Sequence, residues 1–128
     1  MPYQKVTPNL MVKDVSASLK FYQETLGLER RLTVPEQEPF VFVSVAAGDV
    51  EIFLNQDGLN QDGSSGKSRA SGISLYVELE GLNHLLERVQ QHQVKIEIAL
   101  NETFYGMREF AVLDPDGYMI IFAERIKK

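Results

Sequence analysis

Apolar residues along this chain recur at two different spacings, and each change of spacing marks an element. Val6 to Val12 alternates and breaks at Lys13-Asp14, a short strand in which Pro8 implies an edge or an irregular start. Asp14 is placed to cap a helix. Val15, Leu19, Tyr22 and Leu26 then form one stripe, which Gly27 ends in the left-handed conformation. Arg30 to Val34 and Phe40 to Ala46 read as strands separated by the Pro-bounded segment Pro35 to Pro39, and Gly48-Asp49 turns the chain into a fourth strand, Val50 to Leu54.

Residues 55–72 lose this pattern. Gly58, Gly63, Gly66 and Gly72 stand among Asn, Gln, Asp and Ser, and Asn55-Gln56-Asp57-Gly58 recurs as Asn60-Gln61-Asp62-Gly63. The repeat lacks the ligand spacing and closing Glu of an EF-hand loop, so the stretch reads as a linker rather than a calcium site. After it the first half begins again. Ile73, Leu75 and Val77 alternate, Leu82, Leu85, Leu86 and Val89 give a second helix stripe, and Val94 to Ile98 and a hairpin follow. In the hairpin, Glu109 to Leu113 and Tyr118 to Ala123 flank Asp114-Pro115-Asp116-Gly117, where Pro presets φ at one corner and Gly supplies the φ > 0 of another. Val12 thus corresponds to Val77, and Gly48 to Gly117. The expectation is an α+β fold of two βαβββ modules, 1–54 and 73–128, joined by the linker 55–72. A module of about 60 residues is marginal alone, so the two are expected to pack as one domain.

Side chains alternate across a strand, so each sheet has a face for its helix and a second face. Leu10, Val12, Val50, Ile52 and Leu54 in the first module, and Ile73, Leu75, Val77, Ile120 and Phe122 in the second, belong to the helix side. The other face carries Thr7, Asn9, Met11, Glu51, Phe53 and Asn55, then Ser74, Tyr76, Met119, Ile121 and Ala123. Such a mixture of aromatic, thioether and polar groups suits the wall of a ligand cleft, and equally a dimer interface.

Charge narrows the choice of ligand. Eighteen acidic against 13 basic residues give a net charge of -5, which argues against a phosphate backbone or an anionic membrane and permits a cationic ligand. Without Cys there is no thiol nucleophile, disulfide or Cys-based zinc site. The N-terminal residues lack the apolar core of a signal peptide, and no run approaches the roughly 20 apolar residues of a membrane helix, so the cytoplasm is the expected compartment. His84 and His92 both fall on the second helix and read as solvent-exposed. Glu51 is a counter-charge for a cationic ligand, with Glu109 as a possible helper, or a carboxylate facing water. Buried without a partner, it would have a raised pKa and serve as an acid or base. Phe53, Tyr76, Phe104 and Tyr105 suit stacking on a planar ligand. Arg108 reads as the ion-pair partner of a neighbouring carboxylate, and Asp114 and Asp116 as turn residues.

Leu10 to Val15, Phe21-Tyr22, Leu26-Gly27-Leu28, Glu51, Gly81-Leu82, and Arg108 to Ala111 running into Asp114-Pro115-Asp116-Gly117 together resemble the vicinal oxygen chelate superfamily of glyoxalase I, extradiol dioxygenases and bleomycin-resistance proteins. The resemblance spans Val6 to Glu124. Arg-Glu-Phe-Ala before the Asp-Pro turn and Phe-Ala-Glu after it are closest to the bleomycin-resistance branch, although Phe104-Tyr105-Gly106-Met107 stands where that branch has Trp-Gly and Tyr118 where Asn is common. The resemblance implies a single glyoxalase-like domain over 1–128, with mixed sheets curving around a cleft, and a homodimer whose clefts involve both chains. The strand positions that hold metal in the family's enzymes fall on Thr7, Glu51, Gly72 and Ile121, of which only Glu51 ligates well. No metal or other cofactor is therefore expected. The implied function is a small-molecule binding protein that sequesters a cationic aromatic ligand without chemistry, through Asn9, Glu51, Phe53, Tyr76, Phe104, Tyr105, Met119 and Ile121. The alternatives are a glyoxalase-like lyase or isomerase with an altered site, and an assembly module with a vestigial cleft.

Overall fold

In a computed structural model of the chain, residues 1–57 and 72–127 are described. They fall into two compact units, Met1–Gly66 and Lys67–Lys128. The Gly-rich repeat read as a linker lies largely outside the described residues.

The first unit runs β1 (Asn9–Val12), α1 (Val15–Lys20) continuing as a π-helical turn (Phe21–Thr25), β2 (Glu29–Val34), β3 (Phe42–Ala47) and β4 (Val50–Gln56). Its sheet order is β1-β4-β3-β2, with β1 parallel to β4 and the other pairs antiparallel. Asp14 caps α1 by accepting from Ser16 N at 3.0 Å and Ala17 N at 3.2 Å, which satisfies two of the N–H groups a helix start leaves open. Asp14→Ala should cost about 1 kcal/mol, read as a lower midpoint in urea denaturation followed by circular dichroism. Gly27, at φ 79°, ends the helix as its position suggests. Val15 and Leu19 of α1 and Tyr22 of the π-helical turn are buried with Leu10, Val12, Val43, Val45, Ile52 and Leu54 of the sheet, which is the core of this unit.

Several strand ends differ from the sequence expectation: β2 starts at Glu29 rather than Arg30, β3 at Phe42 rather than Phe40, and β1 and β4 shift for reasons the contacts show. β1 begins only at Asn9, where pairing with Phe53 starts, and Val6 is 92% exposed. β4 extends to Gln56, because that side chain has work at the helix start: its Oε1 accepts from Val15 N at 3.1 Å and its Nε2 donates to Lys13 O.

The second unit repeats the order as β5 (Ser74–Glu78), α2 (Leu82–Gln91), β6 (Ile96–Glu102), β7 (Met107–Leu113) and β8 (Met119–Arg125), with sheet order β5-β8-β7-β6 and β5 parallel to β8. Leu82, Leu85 and Val89 of α2 are buried, as are Phe110, Val112, Ile120 and Phe122 of the sheet. Ile73 is not a core residue: it precedes β5 and is 69% exposed. β6 starts later than the apolar run suggests, since Val94 N donates to Val89 O and is used in closing the helix end. In the β7–β8 hairpin Gly117 N donates to Asp114 O at 2.9 Å, and Gly117 sits at φ 89° as the fourth residue of the turn. The buried Asp114 carboxylate accepts from Asp116 N and Tyr118 N, both at 2.9 Å. Its role is to hold the turn.

Two helices and two four-stranded mixed sheets in the order βαβββ, βαβββ make this the α+β fold that the repeat implied. No helix among the described residues is long and apolar enough to cross a membrane.

Candidate functional site

The helix-free face of the second sheet brings a carboxylate and three aromatic rings together. Across β5, β8 and β7 one row of partners is Tyr76, Ile121 and Ala111, and the next is Glu78, Ala123 and Glu109. Tyr76 OH and Tyr105 OH both donate to Oε2 of Glu109, the latter at 2.8 Å. Among the described residues Oε1 of Glu109 has no hydrogen-bond partner and no Lys or Arg pairs with this side chain. The hairpin tip that supplies Tyr105 is fixed by Thr103, whose Oγ1 accepts from Met107 N at 3.0 Å. There Phe104 packs edge-on against Tyr105, ring centroids 5.0 Å apart, and is itself fully exposed.

Hydrogen bonding to Glu109 raises the pKa of Tyr76, with burial adding to it, and raises that of Tyr105 for the same reasons. Both phenols therefore stay protonated at neutral pH and act as donors, not as bases. A carboxylate with one oxygen held by two tyrosines and the other open, beside half-exposed rings, suits a cation that also offers an aromatic surface. Glu78 adds a second negative charge two residues from Tyr76 on the same strand face, and a recess of about 320 Å³ borders it and Ala123. Arg125 and Lys127 line the same recess.

On the helix-free face of the first sheet the expected site residues separate into two pairs and a group of three. Asn55 donates to Asn9. Phe53 packs on Phe42, centroids 5.1 Å apart. Glu51 accepts from Ser44 Oγ at 2.7 Å and from the Lys5 ammonium. These bonds, that from Lys5 first and that from Ser44 second, hold the Glu51 carboxyl below the usual carboxylate range. Glu51 is therefore ionised and partnered, which removes the role of a buried acid or base with a raised pKa.

Met119 and Ile121 pair with Ser74 and Tyr76 in the β5–β8 register. The side chains of Glu78 and Ser44 were not singled out from the sequence. Alternation from Tyr76 marks Glu78, whereas Ser44 is found only through the β3–β4 register. Arg108 is structural: it donates to Asn83 Oδ1 at 2.8 Å and lies 4.0 Å from Glu124. Glu124 in turn accepts from Gly81 N at 2.8 Å and Leu82 N at 3.4 Å, capping α2, whose own N-cap residue has no side chain. The Gly81 bond is the main cause of a lowered Glu124 pKa. His84 and His92 are both exposed. Among the described residues no group of three or more His, Cys, Asp or Glu is placed to hold a metal ion.

Residues 5–122 match the model of the glyoxalase/bleomycin resistance protein/dioxygenase superfamily. A bleomycin resistance protein of Geobacillus stearothermophilus is 26% identical over 133 aligned positions, covering 94% of this chain and 96% of that one. Among solved structures, TioX from Micromonospora sp. ML1 superposes with a TM-score of 0.79 at 15% identity, covering 97% and 100% of the two chains. TnmS3, an antibiotic binding protein from Streptomyces sp. CB03234, does so with a TM-score of 0.74 at 21% identity, covering 98% of each. At these identities the two structures speak for the fold.

Proposed function

Because the chain belongs to the glyoxalase/bleomycin resistance protein/dioxygenase superfamily, we propose that it is a small-molecule binding protein that sequesters a cationic aromatic ligand and leaves it chemically unchanged. The observation that carries this reading is the Glu109 carboxylate, tethered at one oxygen by Tyr76 and Tyr105 and open at the other. Glu109 rather than Glu51 is the primary counter-charge, with Phe104, Tyr105 and Tyr76 as the aromatic wall and Met119 and Ile121 beneath. Asn9, Phe53 and Glu51, on the sheet of the first unit, complete the proposed set of ligand-binding residues. The protein acts as a cytoplasmic homodimer of glyoxalase-like domains, 1–128 in each, whose cleft takes residues from both chains. Bleomycin is the first ligand to test because the G. stearothermophilus relative is a bleomycin resistance protein.

Isothermal titration of metal-free and copper-loaded bleomycin into the purified protein should give saturable heat near one ligand per chain, with intact drug recovered afterwards. Absence of heat at high protein concentration overturns bleomycin as ligand. Turnover of a hemithioacetal with added metal would support the altered-site lyase instead. Sedimentation velocity reads the dimer directly, and a monomer at assay concentration removes the shared cleft.

A further inference from the structure

Glu51 already holds a cation, and that cation belongs to the chain itself. Residues 1–6 are exposed and form no helix or strand. The segment is led along β4 by the bond from Phe53 N to Pro8 O at 2.9 Å, which continues the parallel β1–β4 register backwards toward Glu51. Lys5 thereby reaches Oε1 of Glu51, with side-chain exposures of 57% for the lysine and 19% for the glutamate.

The two sides of this contact differ in how firmly they are fixed. Oε2 of Glu51 is oriented by Ser44, a residue 2% exposed within the central strand β3. The ammonium is carried by a long side chain from a segment outside the sheet, and exposed ion pairs of this kind are weak because water screens them and both side chains lose rotamer freedom. Arg31 adds a more distant positive charge to the same carboxylate. The acceptor is preorganised, and its present occupant is replaceable.

We propose that Ser44 and Glu51 form a site for a protonated primary amine, and that Lys5 is the built-in competitor which an alkylammonium group of a ligand must displace. The lysine headgroup is itself a primary alkylammonium, so its placement defines the chemistry the site accepts: a compact cation that donates N–H bonds. A quaternary ammonium ion carries charge but no N–H donor and fits less well. Ser44 is a positioning residue, since it aims the carboxylate without supplying its charge. Competition within one chain lowers apparent affinity by the fraction of time the site is open, so removing the lysine tightens binding of the same ligand. The inference rests on the proposed inclusion of Glu51 among the ligand-binding residues, beside the primary counter-charge Glu109, and adds the identity of the group it takes.

The test is an NMR titration of the intact protein with n-butylammonium chloride at constant ionic strength, following the backbone amides of Ser44 and Glu51. Lys5→Gln should lower the titration midpoint about three- to tenfold relative to the unsubstituted protein. Glu51→Gln should abolish the saturable shifts, and tetramethylammonium should give a higher midpoint than n-butylammonium in the Lys5→Gln protein. Equal midpoints with and without Lys5, both sensitive to Glu51→Gln, would overturn the competitor while leaving Glu51 as a cation site. No Glu51-dependent shift even in the Lys5→Gln protein would overturn both.

Discussion

Glu109→Gln is expected to weaken the binding of metal-free bleomycin about ten- to hundredfold while leaving the fold intact. The amide oxygen of the new side chain still accepts from Tyr76 and Tyr105, so the tyrosine network that holds β5 to β7 persists. What disappears is the negative charge at the open oxygen. A hydrogen bond to a charged group is worth about 1.5–3 kcal/mol, and each 1.4 kcal/mol is a factor of about ten in Kd. Isothermal titration reads the change. An unaltered Kd would place the counter-charge elsewhere, with Glu78 the next carboxylate to replace.

The neighbouring residue should behave in the opposite way. Phe110 follows Glu109 on β7 and points to the other face, where it is fully buried and packs on its register partner Phe122 with centroids 5.5 Å apart. Phe110→Ala removes that ring contact and opens a cavity in the buried core of this unit, a change that costs about 3–5 kcal/mol. Against a total stability of about 5–15 kcal/mol this is a large fraction. Urea denaturation followed by circular dichroism should show it. A loss below about 1 kcal/mol would mean that the core of this unit lies elsewhere. Two adjacent positions thus divide binding from stability because a strand sends successive side chains to opposite faces.

Periodicity made the two helices, the hairpin and the repeated βαβββ order readable, because each depends on neighbours within a few residues. Asp14, Gly27 and the Asp114 turn were legible for the same reason. The site was less so. Lys5 and Glu51 meet through β1–β4 pairing over 46 residues, and Tyr76 meets Glu109 over 33. Face assignment marks such residues as co-facial, but only the strand order makes them neighbours. The sequence contains nothing local that marks Glu51 as already partnered by Ser44 and Lys5. Ile73 and Val94 were misplaced at element ends, where exposure and helix closure override the apolar character of a single residue.

The cap that Glu124 supplies to α2 also sets an order for synthesis. Gly81 brings no side chain to the helix start, and the carboxylate that accepts its N–H is encoded 43 residues later. A nascent chain therefore carries an uncapped second helix until β8 has left the ribosome, whereas the first helix has its Asp14 cap beside it from the outset. With translation adding about 5–20 residues per second, the Gly81 N–H waits roughly two to nine seconds for the carboxylate that accepts from it.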